Sequence, residues 1–144
     1  MPSNSSLVGF AHEWFQKVWN ERDESTIDRM LNPTGGVDGL HIRDATSLRG
    51  PAEFKIFHRA ILSAIPDMHI TVEKAIEQDD WLSVRFVCEG THTGEGLGVP
   101  PSNRRIRFSA IAFGRIENGQ WVEGWNCVDF LTLNQQIGGQ MRIA

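Results

Sequence analysis

The sequence predicts a single α+β domain, because the 3.6-residue hydrophobic period is confined to the first half of the chain and the period of two to the second half. A third observation fixes the strand direction: Asn118-Gly119 lies between two apolar runs, the pattern of a tight antiparallel hairpin. Leu7, Val8, Phe10, Ala11, Trp14, Phe15, Val18 and Trp19 recur at steps of three to four and make a wide apolar stripe on a first helix. Ser25 precedes Ile27, Asp28, Met30 and Leu31, a short capped second helix that Asn32-Pro33 should end, since the residue before proline avoids helical angles. Gly35, Gly36 and Gly39 predict a loop, with a short strand around Leu40 to Arg43. Gly50-Pro51 opens a third helix whose apolar face is Phe54, Phe57, Ile61, Leu62 and Ile65, and Pro66 ends it.

From Met68 the period switches: Met68, Ile70 and Val72 share one face, His69, Thr71 and Glu73 the other. Asp79-Asp80 makes a turn, and Trp81 to Thr91 is a second long strand. Thr93 to Asn103 carries Gly94, Gly96, Gly98 and Pro100-Pro101 and must be a loop. Ile106 to Ile116 and Trp121 to Leu131 form the hairpin about Asn118-Gly119. The predicted order is three helices followed by a four-stranded meander, with the sheet curling over the helices to leave a pocket at its open end.

Composition narrows the function. A chain of 144 residues fits one domain and buries roughly 70% of its unfolded surface. Five Trp and eight Phe, with no Tyr, predict a bulky aromatic interior. A net charge of −4 with dispersed Lys and Arg excludes nucleic acid as a partner, and the cluster Arg104, Arg105 and Arg107 reads as a solvated strand edge. Cys88 and Cys127 lack metal-ligand spacing, so neither a disulfide framework nor a metal site is expected, and reduced thiols point to the cytoplasm. The polar start, Met1 to Ser6, gives no sign of a signal peptide or a membrane partner.

At Leu48-Arg49-Gly50-Pro51, Phe54-Lys55, Phe57, Pro66-Asp67, Gly90-Thr91-His92-Thr93-Gly94, Gly98, Pro100-Pro101, Arg104 and Glu123-Gly124-Trp125-Asn126, the chain resembles the SnoaL-like polyketide (ester) cyclases, over about Phe15 to Gly138. The resemblance implies one SnoaL-like domain over 1–144 with the nuclear transport factor two-like, or cystatin-like, fold. That fold is a cone-shaped curved antiparallel sheet of six strands wrapped around a long N-terminal helix, with two further helices, and it is commonly a homodimer. It also implies an enzyme that closes a ring by intramolecular aldol-type chemistry on a small hydrophobic carbonyl compound, with no metal and no organic cofactor. Where the family often carries a Glu-His-Trp-Asp-like string, this chain has Glu123-Gly124-Trp125-Asn126.

Four residues are candidates for chemistry. Asp129, at the end of the last strand and sharing a face by parity with Trp121, Glu123, Trp125 and Cys127, could be an acid or base with a pKa raised by desolvation, or a capping carboxylate. Asn126 cannot be a base but can orient a carbonyl or donate to an oxyanion. Alternation places Asn126 and Asp129 on opposite faces, so one of them lines the pocket. His92 shares the inward parity of Val84, Phe86 and Cys88 and is either a base or an anchor for the following loop. His41 is either at the cavity mouth or on the surface. Phe86, Phe113, Trp125 and Cys88 are expected in the pocket wall, whereas Trp14, Phe15, Trp19, Phe54 and Phe57 read as core. His12, His58 and His69 are expected to be solvated, and Gly94 to Gly98 to form a rim over the pocket. Two functions remain open from the residues alone, an acid/base cyclase or isomerase and a non-catalytic module that binds a small apolar ligand or dimerises.

Overall fold

The computed structural model describes residues 6–40 and 47–138. The first helix, α1 (Leu7–Trp14), is capped by Ser6, whose Oγ accepts the Gly9 N–H at 3.0 Å. It runs without a break into a π-helical stretch, Phe15–Asn20. The wider winding sends the Glu21 N–H to Gln16 O at 2.8 Å and the Asp23 N–H to Lys17 O at 2.9 Å. Val18 O is thereby passed over, and it is taken instead by His58, whose Nε2 lies 2.7 Å away. His58 is 1% exposed, which corrects the expectation of a solvated side chain, while His12 and His69 are exposed as expected.

Asp23 caps α2 (Glu24–Met30) through the Ser25 N–H and the hydroxyls of Ser25 and Thr26. The chain then enters β1 (Leu31–Asp38) directly, followed by β2 (Leu48–Arg49), α3 (Gly50–Ala64), β3 (His69–Gln78), β4 (Trp81–Thr91), β5 (Arg105–Glu117), β6 (Gln120–Val128) and α4 (Phe130–Gln136). The strands form one curved, unclosed sheet in the order β2-β1-β6-β5-β4-β3. All neighbours are antiparallel except β1 and β6, so the sheet is mixed and its predicted meander is its β3–β6 half. The α+β class and the half-barrel hold; three details change. The glycine-rich stretch after Pro33 is a strand, the last strand stops at Val128, and a fourth helix follows it.

Inward residues of β4 and β5, among them Leu82, Val84, Phe86, Ile106 and Ala110, pack under α1, α2 and α3, with the rings of Phe15 and Phe86 4.4 Å apart. Each such buried side chain contributes about 1.5–3 kcal/mol. The loop between β4 and β5 is pinned to α3 by the Gly94 N–H on Ala64 O at 3.0 Å, and a Cβ at Gly94 would sit 1.9 Å from Ser63 O. The outer face of the sheet carries a cross-strand row, Ile76–Ser83–Phe113–Trp125. The Phe113 ring stacks on Trp81 at 5.1 Å, and Ile76, Ile111, Phe113 and Trp125 are all exposed. Among the described residues no helix is long and apolar enough to cross a membrane.

Candidate active site

Between the concave face of the sheet and the helices lies a cavity of about 90 Å³. Its helical wall is Trp14, Phe15, Trp19, Phe54 and Phe57, so the aromatics expected as plain core both pack and enclose space. Its sheet wall includes Phe86, Cys88, Phe108, Ala110, Ala112, Trp121, Gly124 and Asn126, and Val128, Phe130 and Leu133 also belong to the lining. Among the described residues this lining contains no carboxylate and no imidazole.

Asn126 is the amide in that apolar lining, and its position follows from a bulge. Ile116 pairs with Trp121 but Arg115 pairs with Glu123, so one residue is extra at the start of β6 and the alternation resets. Trp121, Gly124, Asn126 and Val128 therefore face inward, and Glu123, Trp125 and Cys127 outward. Asn126 Nδ2 donates to Asp38 O at 3.2 Å. A carbonyl can only accept, which orients the amide with its Nδ2 toward β1. The close crossing behind it needs a glycine: Gly39 has φ +83, and a Cβ there would fall 1.9 Å from Asn126 O.

Asp129 is placed elsewhere. It caps α4, accepting from the Thr132 hydroxyl at 2.7 Å and the Thr132 N–H at 3.0 Å, and it is exposed. These bonds, the hydroxyl's first, hold its pKa below the ordinary carboxylate value, the reverse of the shift expected for a desolvated acid. His92 is fully buried but is not part of the cavity wall. Its Nδ1 faces the Ser102 hydroxyl at 2.9 Å and accepts the Ser102 N–H at 3.1 Å, so Nδ1 is unprotonated and the ring clips the loop that follows. Burial lowers its pKa. None of the loop residues between His92 and Arg104 lines the cavity, because the loop lies on α3 rather than over the rim.

Phe86 and Cys88 line the cavity as expected, and burial pushes the Cys88 thiol up to about 12, so it stays protonated and inert at neutral pH. Phe113 and Trp125 also border the cavity. They alternate with inward Ala112 and Asn126, and their rings stack with Trp81 on the outer face at 44–45% exposure. His41 lies outside the described residues. The residues missed from sequence are Trp121 and Gly124, whose inward placement depends on the bulge, and the small pair Ala110 and Ala112, which a parity count of β5 finds once the inner face is known.

The chain is similar in sequence to nogalonic acid methyl ester cyclase of Streptomyces nogalater, 26% identical over 116 residues, which span 81% of this chain and 82% of that protein. In fold it is similar to TsrD from Streptomyces laurentii, with a TM-score of 0.81, 24% identity and 97% and 100% of the two chains covered. A SnoaL-like protein from Jannaschia sp. CCS1 superimposes with a TM-score of 0.82 at 19% identity, covering 98% and 100% of the two chains. At these identities the two structures speak to the fold alone. The profile of the SnoaL-like polyketide cyclases matches residues 10–137, nearly the whole described chain, so this protein belongs to the SnoaL-like polyketide cyclase family.

Proposed function

We propose that the protein is a cyclase that folds a small apolar carbonyl compound into the aromatic cavity and closes a ring within it by an aldol-type step. The observation that carries this reading is the lining itself, an apolar enclosure with the Asn126 amide fixed by Asp38 O at one point of its wall. Family membership supports the cyclase class over a module that only binds.

In this scheme a proton leaves the carbon between two carbonyls, the resulting enolate carbon attacks a further, remote carbonyl carbon of the same molecule, and the new alkoxide takes a proton back. No atoms are gained or lost. The cavity contributes by holding the chain folded, which replaces an encounter in solution by a preset geometry. Asn126 contributes an N–H toward the oxygen on which enolate charge develops. The described lining supplies no side-chain base, and a carbon acid flanked by two carbonyls is acidic enough to lose its proton to solvent once its enolate is stabilised. The test is incubation with a panel of linear and ring-bearing β-keto esters that each carry a further, remote ketone or aldehyde, followed by chromatography and mass spectrometry. A product of unchanged mass and shifted retention is expected; no turnover of any member by well-folded protein would overturn the reading.

We also infer that the outer aromatic row seats a second copy of the chain. Ile76, Ile111, Phe113 and Trp125 expose large apolar side chains on this face, and a two-fold axis would set two such patches against each other and cover them. Light scattering is expected to give about twice 16.2 kDa for the native protein. Phe113→Glu, a change on the exposed outer face, should return the monomer mass; a monomeric native protein contradicts the inference.

A further inference from the structure

We propose that Gly124 sets the depth of the cavity and so the length of the apolar substituent that the substrate can carry beside its bound carbonyl, an inference that rests on the cavity being the substrate site. Gly124 and Gly114 are cross-strand partners on the inner face. They are glycines for different reasons. A Cβ at Gly114 would lie 2.3 Å from Glu123 O and 2.9 Å from Trp121 Cζ3, so Gly114 is required to seat the indole against the sheet. A Cβ at Gly124 would have only Phe113 O and Trp121 Cε3 near it, both at 3.9 Å, which is ordinary contact. Its φ is not positive either. Neither backbone conformation nor packing therefore demands glycine at 124.

What the missing side chain does leave is space. Gly124 lines the cavity two residues before Asn126 on the same inward face, diagonal to Ala112 on β5. Along a strand two residues span about 6.6 Å. A carbonyl at Asn126 thus places a neighbouring substituent over Gly124, in the space that a side chain there would take. A methyl group there would meet the wall only at ordinary contact distance and would take up space that the substituent otherwise fills. The fitting ligand is a β-dicarbonyl compound with a short, unbranched apolar substituent, since the span of about 6.6 Å from Asn126 to Gly124 is filled by a chain of roughly three carbons. A longer chain meets the sheet.

The test is tryptophan-fluorescence titration of the whole protein with methyl 3-oxoalkanoates from 3-oxobutanoate to 3-oxooctanoate. Native protein is expected to gain affinity up to a propyl substituent and lose it beyond. Gly124→Ala should keep or raise the thermal midpoint, because alanine restricts the unfolded chain. It should weaken the propyl member about tenfold and move the optimum one carbon shorter. Ala112→Gly, which removes a methyl from the same wall, should move the optimum one carbon longer, and it decides the matter if Gly124→Ala fails to fold. Folded variants that follow the native series overturn the role of Gly124 while leaving the cavity as the site; native protein that binds no member overturns both.

Discussion

His58→Ala is expected to destabilise the fold by about 3 kcal/mol, read as a drop in the urea midpoint with an unchanged slope. Two losses add. The imidazole fills space among Trp19, at 4.8 Å between centroids, and Phe54, at 6.4 Å, so its removal leaves a hole in the aromatic wall. Val18 O also loses the donor that the π-helical winding makes necessary, and a buried carbonyl without a partner costs about 1–3 kcal/mol. His58→Phe separates the two, since it keeps a ring and loses only the bond.

The same side chain predicts how stability changes with pH. Nε2 donates to Val18 O, so Nδ1 is the bare nitrogen, and it is buried with no partner. Protonating it would place an N–H among aromatic rings. Desolvation is accordingly the main cause of a pKa below the ordinary 6.5; the bond to Val18 O and the charge of Glu24 oppose it, and Arg22 and Arg59 reinforce it. The unfolded chain binds its proton near 6.5 while the native protein does not. The contribution is therefore intact above that pH and is lost as pH falls from about 6.5 through the lowered native value, by up to about 1.4 kcal/mol per pH unit. His92, lowered by burial, acts in the same direction. His58→Phe should remove the share due to His58 and leave the share due to His92. If its urea midpoint matches the native protein at pH 7.5 and falls as steeply toward pH 5, the structural role assigned to His58 is wrong.

His58 also marks where the sequence stopped being informative. Its apolar neighbours at helical spacing are plain in the chain, but the acceptor that buries it is created by a change of helical winding, and nothing in Phe15 to Asn20 departs from an ordinary amphipathic pattern. Elements built on local chemistry were legible: the apolar stripes, Pro51 at the start of α3, and the hairpin turn, where Asn118 and Gly119 both take positive φ as that turn requires. Elements imposed by distant partners were not. β1 runs through Pro33, Gly35 and Gly36, poor strand formers, and is a strand because β6 and β2 flank it. Pro33 is tolerated because it falls where the pairing with β6 shifts between Leu31 and Gly36. α4 did leave a signal, Asp129 followed by Phe130, Leu133 and Ile137 at helical spacing, hidden by the apolar run that continues out of β6. The site divides the same way. Phe86 and Cys88 follow from strand parity, whereas the inward turn of Trp121, Gly124 and Asn126 and the outward turn of Phe113 and Trp125 depend on register and on a bulge that one sequence does not display.

Asn126→Ala is expected to lower kcat/KM for cyclisation about 10²-fold, the usual loss when one preset donor to a developing oxyanion is removed, with little change in the thermal midpoint. Asn126→Asp tests the amide from the other side. A carboxylate at this position loses the bond to Asp38 O and faces that carbonyl's lone pairs inside an apolar wall, so both burial and repulsion raise its pKa above the ordinary carboxylate range. Below that pKa the protonated acid can still donate, as the amide does; above it the carboxylate can take the substrate's proton. The aspartate variant should therefore recover activity relative to alanine and acquire a titrating limb in its pH–rate profile that the native protein lacks. Equal rates for the native, alanine and aspartate proteins would remove Asn126 from the chemistry. A flat aspartate profile together with a large alanine defect would confine the residue to positioning, and the proton would have to leave by a route in which this wall takes no part.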